Sequence, residues 1–354
     1  MVDRFQESID EQTKRTHYFQ IDVMKTLMIT LVILDHIMPH LAKDALYIQF
    51  WLRLSVPIFL IIMGFNYGTS FKYRNLVSLR ELYSKEYFNR KSQRYLIPFL
   101  VCFIPLTVIS IILDQLNLQI LSSRAILPFW GPGIWYIPVV FSAVIILPVL
   151  YFLFKKRPYV MLSLCFAIEL IMHLLLYSLL ESTQTDAFVH DLILFLFQSN
   201  VFLYLSAIAL GIWFSFDYNL SSQKNHFVWV AFPFSLLYLI LYEFSGWHPF
   251  FIMSDYNFMI IPYSAVVFLL IMRLLPEEPQ FSQVGFFKRT SSSTYHILLV
   301  QAVLFSILYY SNPGMLIGEV VFNLETYLIL FVIIISISFT IGCIWKNTER
   351  KLAN

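Results

Sequence analysis

Residues 19–41, FQIDVMKTLMITLVILDHIMPHL, are apolar enough to lie in a bilayer, yet they carry Asp22, Lys25, Asp35, His36 and His40. An α-helix turns about 100° per residue, so the step from Lys25 to His36 ends about 20° past full circles, after a rise of about 16.5 Å. Lys25 and His36 therefore share a face. Asp22 precedes the first by three residues and His40 follows the second by four, which makes one polar stripe. Asp35 falls about 100° from His36 and is not placed as its partner on that helix. A charge in hydrocarbon costs about 2.5–3.5 kcal/mol on insertion scales, so the stripe should face the interior of a bundle.

The residues alone leave several readings of the stripe open. In one, Asp22 and Lys25 are interfacial side chains that snorkel, and His36 and His40 are neutral packing residues. In a second, His36 and His40 hold a metal ion at i, i+4 spacing, but no HExxH motif or second histidine pair supplies further ligands. In a third, His36 is a general base, since an ordinary histidine titrates near pH 6.5 and suits proton transfer at neutral pH. A transporter or flippase would use the same stripe to line a path with His36 as proton relay. With only ten glycines and no glycine-rich helix break, the chain lacks the discontinuous helices typical of such proteins. A non-catalytic scaffold would leave the stripe without a task.

The elements that must position these groups follow from composition. The 354 residues are 58% hydrophobic and 13% charged, with mean hydropathy +0.70, against about 45–50% apolar and 25% charged in soluble domains. The fold class is therefore an all-α integral membrane protein. Stretches long enough to cross about 30 Å of hydrocarbon lie at 19–41, 47–71, 94–113, 134–154, 159–180, 191–215, 227–244, 257–275, 292–310 and 324–345. That predicts about ten transmembrane helices around a polar cavity, in a single polytopic domain spanning 1–354. Residues 1–18 would be a polar N-terminus without a signal-peptide pattern, and 346–354 a tail. A net charge of +2 does not suggest a nucleic-acid partner. Cys102, Cys165 and Cys343 lie in apolar runs without CxxC spacing and read as small core residues.

With the N-terminus cytoplasmic, all of the 24 basic residues except Lys43, Arg53, Arg124 and Lys25 fall on cytoplasmic segments, so both termini should be cytoplasmic. Trp130, Trp135, Trp213, Trp247 and Trp345 sit at predicted ends, as interfacial anchors do. Prolines 57, 98, 105, 138, 148 and 262 free backbone carbonyls, which a cavity or a neighbouring helix can satisfy.

Taken in order, five segments resemble acyltransferase family 3, whose members move acyl groups, usually acetyl, onto cell-surface sugars. DVMKTLMITLVILDH supplies Asp22, Lys25 and His36 in the spacing of that family's first helix, with Thr26 and Leu27 where small residues usually follow. VPIFLIIMGFNYG resembles the second-helix segment, with Met63 where serine is common and Gly64 kept. RKSQRYLIPFL matches the basic run entering the third helix through Arg90, Lys91, Arg94 and Pro98. GIWYIPVVFSAVIILPVL matches through Trp135 and Pro148, with Val140 and Phe141 where one branch carries a glutamate pair. SSSTYHILLVQAVLF matches through Ser293, Tyr295 and Gln301.

The resemblance implies a membrane O-acyltransferase, an O-acetyltransferase in the simplest case, of the glutamate-free branch. His36 would be the base, and Arg90, Lys91 and Arg94 with Lys25 would hold the phosphates of acyl-CoA, such as acetyl-CoA, as donor substrate. Asp22 would orient Lys25, and Tyr295 is nominated as oxyanion donor. No tightly bound cofactor and no metal are implied, and the acceptor would be a saccharide or glycolipid at the cell membrane. Positive-inside bias alone also accounts for the basic run. Glu169 and His173, one turn apart, are either functional intramembrane groups or a hydrogen-bonded pair tying two helices. Trp135 reads as packing at a helix end, Gln301 as a candidate site residue, and His190, His226, His248 and His296 as ordinary end or loop histidines. The loop LNLQILSSRAILPFWGPG, 116–133, could shape an acceptor site.

Overall fold

Apolar runs of this length can satisfy their backbone groups in hydrocarbon only as helices or closed barrels, and here they form helices. In the computed structural model the described residues are 17–38, 42–43, 46–76, 78–112, 133–183, 187–252, 255–277, 279, 282–311 and 324–353, and among them there is no strand. The longer helices in chain order are α1 (Phe19–Ile37), α2 (Ser55–Tyr73), α3 (Lys85–Lys91), α4 (Ile97–Ile112), α5 (Tyr136–Lys156), α6 (Pro158–Ser182), α7 (Ala187–Gln198), α8 (Leu205–Phe216), α9 (His226–Ser245), α10 (Ile261–Leu274), α11 (Val284–Ser311) and α12 (Leu324–Ala353).

Among the described residues, six helices are long and apolar enough to cross a membrane, and a seventh span is formed if α7 and α8, bent by 55° at the break 199–200, count as one. The sequence predicts about ten. The difference lies in α1, whose Asp22, Lys25 and Asp35 are more charge than an ordinary span carries, in α4, whose described part has 16 residues, and in α10, which has 14 residues. Outward-facing Ile329, Val332, Ile333, Ile337, Ile341 and Ile344 on α12 are exposed, as a lipid-facing surface requires.

The tightest packing joins α2 to α8. A Cβ on Gly64 would overlap the Ile208 carbonyl, and one on Gly211 would overlap the Ile61 carbonyl, so the two backbones touch. This crossing turns the opposite face of α2, with Phe59, Met63, Asn66, Tyr67 and Ser70, toward α1 and the cavity described below. On α1, Thr26 and Thr30 return their hydroxyls to the carbonyls of Asp22 and Thr26 at 2.9 Å, which satisfies them without a partner helix.

Candidate active site

Between α1, α2, α5, α11 and the turn before α4 lies a cavity of about 270 Å³. Lys25 and His36 both line it, as their shared helix face requires. Lys91 enters from the last residue of α3, and Arg94 from the π-helical turn Ser92–Leu96 that joins α3 to α4. The widened turn ends just before Pro98, which has no N–H to return to the Arg94 carbonyl and whose ring would crowd it. Tyr95, Tyr136, Trp135, Thr294 and Tyr295 complete the polar wall, and Ile29, Val32, Val56, Ile62, Val140 and Leu298 the apolar one. Val140, at a position where the other branch of the resembled family carries a glutamate, thus keeps that wall apolar.

His36 offers its ring to the cavity. It packs edge-on against Phe305 with centroids 5.8 Å apart, and neither ring nitrogen is hydrogen-bonded among the described residues. Gly133, at φ +84° in the turn leading to α5, stands beside it: a Cβ there would come within 3.9 Å of His36 Nε2. The Tyr295 hydroxyl is buried with no hydrogen-bond partner among the described residues, and its ring meets Tyr95 edge-on at 5.1 Å. Lys91 Nζ sits 3.6 Å over the Tyr67 ring and near those of Tyr87 and Tyr95, a cation–π cage that fixes the ammonium at the cavity wall.

At the His36 end the chain adds carboxylates that the stripe did not include. Asp35 lines the cavity and pairs with Lys43 at 2.7 Å. The cavity wraps the end of α1, so positions 100° apart both reach it. Asp255 lines it too, held by Arg53 at 3.1 Å and by the Tyr242 hydroxyl at 2.5 Å, while Arg53 also meets Glu243 at 2.5 Å. Burial and the neighbouring Asp35 carboxylate hold the Tyr256 phenol well above its ordinary range, so it stays a proton donor. Tyr256 stacks on Trp135, which stacks on Tyr204 in the break between α7 and α8. Trp135, expected to pack at a helix end, thus does so as part of the cavity wall.

Other expected site residues lie elsewhere. Arg90 does not line the cavity; it pairs with exposed Glu86 at 2.6 Å, because the π turn begins between it and Arg94 and breaks the α-helical spacing that would set them together. Asp22 is buried outside the cavity lining, with His17 at 2.9 Å. Glu169 and His173 are fully buried away from the cavity, and no hydrogen bond joins them. Glu169 instead accepts the Ser206 N–H at 2.8 Å and so caps α8, and both His173 nitrogens lack partners among the described residues. Gln301 is buried outside the lining, its amide without a partner among the described residues. His40, Arg124 and the loop 116–132 lie outside the described residues.

The arrangement sets an imidazole and a phenol, neither hydrogen-bonded among the described residues, in one cavity with three cations. That combination can bind an anionic substrate, take a proton and stabilise a developing oxyanion. A family model described as an acyltransferase domain matches residues 18–345. No curated protein and no solved structure matches the chain.

Proposed function

The chain belongs to acyltransferase family 3, and from that membership we propose that this multi-pass membrane acyltransferase transfers an acyl group, acetyl in the simplest case, from acyl-CoA to a hydroxyl of a cell-surface saccharide or glycolipid. In this reading it has ten spans in the cell membrane, with both termini cytoplasmic. The observation that carries it is the shared cavity: Lys25, Lys91 and Arg94 line the same space as His36 and Tyr295. Lys25 and His36 lie about 16.5 Å apart along α1, a separation suited to a thin pantetheine arm running from bound phosphates to a reactive thioester.

The acceptor hydroxyl approaches from the end lined by Asp35 and Asp255. His36 takes its proton as the oxygen bonds to the thioester carbonyl carbon, and the carbonyl electrons move onto oxygen, where the Tyr295 hydroxyl donates a hydrogen bond. Collapse re-forms the carbonyl and breaks the C–S bond, and the leaving thiolate takes the proton from His36. The products are an ester and CoA, with the imidazole neutral again.

Labelled acetyl-CoA and purified protein test this. His36→Ala should lower turnover roughly 10²–10⁴-fold, the contribution expected of a general base. Wild-type turnover in that variant would exclude His36 as the base. Vectorial movement of a glycan or lipid-linked substrate without release of CoA would identify a transporter instead.

A further inference from the structure

The last two helices carry basic residues that the reaction above leaves unused. α11 and α12 cross where Gly342 meets Ile297, and a Cβ on Gly342 would stand 2.8 Å from the Ile297 backbone nitrogen, so the helices touch backbone to backbone. Toward the start of α11 and the end of α12 they bound a cleft of about 670 Å³. Lys288, Arg289, Ser292 and Ser293 line it from one helix, and Lys346 and Arg350 from the other. Four cations face it, and among the described residues no carboxylate lines it. Lys288 and Arg289 make no ion pair among the described residues. Lys346 reaches Glu349 only at 3.6 Å, and that carboxylate is already 2.8 Å from His296.

Positive-inside bias explains basic residues at these helix ends, but not their convergence on a cleft whose described lining holds no carboxylate. Lys346 and Arg350, at i and i+4, repel one another unless an anion lies between them and the opposite helix. Several cations around a space of this size suit clustered phosphates, which arginine binds by its fork and lysine as a point charge. The cleft also adjoins the cavity. Ser292 and Ser293 line the cleft, and Thr294 and Tyr295, next in the same helix, line the cavity.

We propose that this cleft binds the phosphates at the nucleotide end of the donor, with the acyl-bearing arm crossing the 292–295 turn of α11 into the cavity. The inference rests on the acyl-CoA reading and moves part of the phosphate binding from the third-helix basic run to the last two helices. Phosphates of anionic lipid headgroups have the same chemistry, so the test separates the two sources.

The full chain in neutral detergent is titrated with adenosine 3′,5′-bisphosphate, and separately with phosphatidylglycerol against phosphatidylcholine. The double variants are Lys288→Gln with Arg289→Gln, and Lys346→Gln with Arg350→Gln, all at exposed or half-exposed positions. Each pair should weaken the bisphosphate about tenfold or more. KM for acetyl-CoA should rise by a similar factor, with kcat unchanged and KM for phosphate-free acetyl-pantetheine unmoved. Unchanged bisphosphate affinity in both variants would overturn the inference, as would a loss confined to phosphatidylglycerol. Acyl transfer with unaltered KM in the variants would sink the cleft and leave the enzyme. Bisphosphate binding that the variants abolish, in a protein that transfers no acyl group, would do the reverse.

Discussion

A phenol buried without a hydrogen-bond partner is costly, on the order of 1–3 kcal/mol, and Tyr295 bears that cost on the wall it shares with His36. An oxyanion forming there would supply the missing partner. Tyr295→Phe should therefore lower kcat about 10²-fold while leaving KM within about twofold, as loss of a transition-state donor does; an unchanged kcat in steady-state assays would reduce Tyr295 to packing. The same scale separates two arginines that the sequence treats alike. Arg94 lines the cavity without a carboxylate partner among the described residues, whereas Arg90 turns to exposed Glu86. Arg94→Gln should raise KM for acetyl-CoA about tenfold, and Arg90→Gln should move it less than about twofold, as for an exposed pair. Helical periodicity made Lys25 and His36 legible in advance, because that relation is set within one element. Asp255 and Tyr256 were not legible, since they reach the site from a loop more than two hundred residues downstream, and no local pattern records that approach.

Among the elements, the crossing of α2 and α8 fixes where the site can be. Gly211 lies against the Ile61 carbonyl and Gly64 against that of Ile208, so neither position has room for a side chain. Gly211→Ala must push the helices apart and should cost about 1–3 kcal/mol, read as a lower melting temperature in detergent. Because α2 also forms one wall of the cavity, activity should fall even at temperatures where the variant remains folded; a variant with wild-type melting and turnover would show that the crossing is looser than these contacts indicate. Gly64 was visible in the sequence within a familiar segment, but its partner was not. Gly211 sits in ALGIWF, where nothing local marks it as a contact. The role of Glu169 was hidden for a related reason. Its carboxylate caps α8, and the need for a cap arises only because the span breaks at 199–200, a bend that a continuous apolar run does not reveal.

Taken whole, the molecule is electrically one-sided in a way that ion pairing sharpens. The two described basic residues expected outside, Lys43 and Arg53, are each neutralised, by Asp35 at 2.7 Å and by Glu243 and Asp255 at 2.5 and 3.1 Å. Arg94, Lys288 and Arg289, expected inside, have no ion pair among the described residues. Among the described residues, unpaired positive charge thus gathers on the side expected to be cytoplasmic, a stronger bias than the residue count alone records. An anionic donor should then meet the protein at the cytoplasmic end, while an acceptor meets the paired carboxylates at the other. Orientation can be measured directly. Leu46, beside Lys43, and Leu352, near the end of α12, are both exposed. In intact cells, with Cys102, Cys165 and Cys343 replaced by serine, a membrane-impermeant maleimide should label Leu46→Cys but reach Leu352→Cys only after permeabilisation. The opposite pattern would invert the protein and place the basic end, with any phosphate site it holds, away from the cytoplasmic pool of acyl-CoA, so that neither donor binding nor the direction of transfer could be as described.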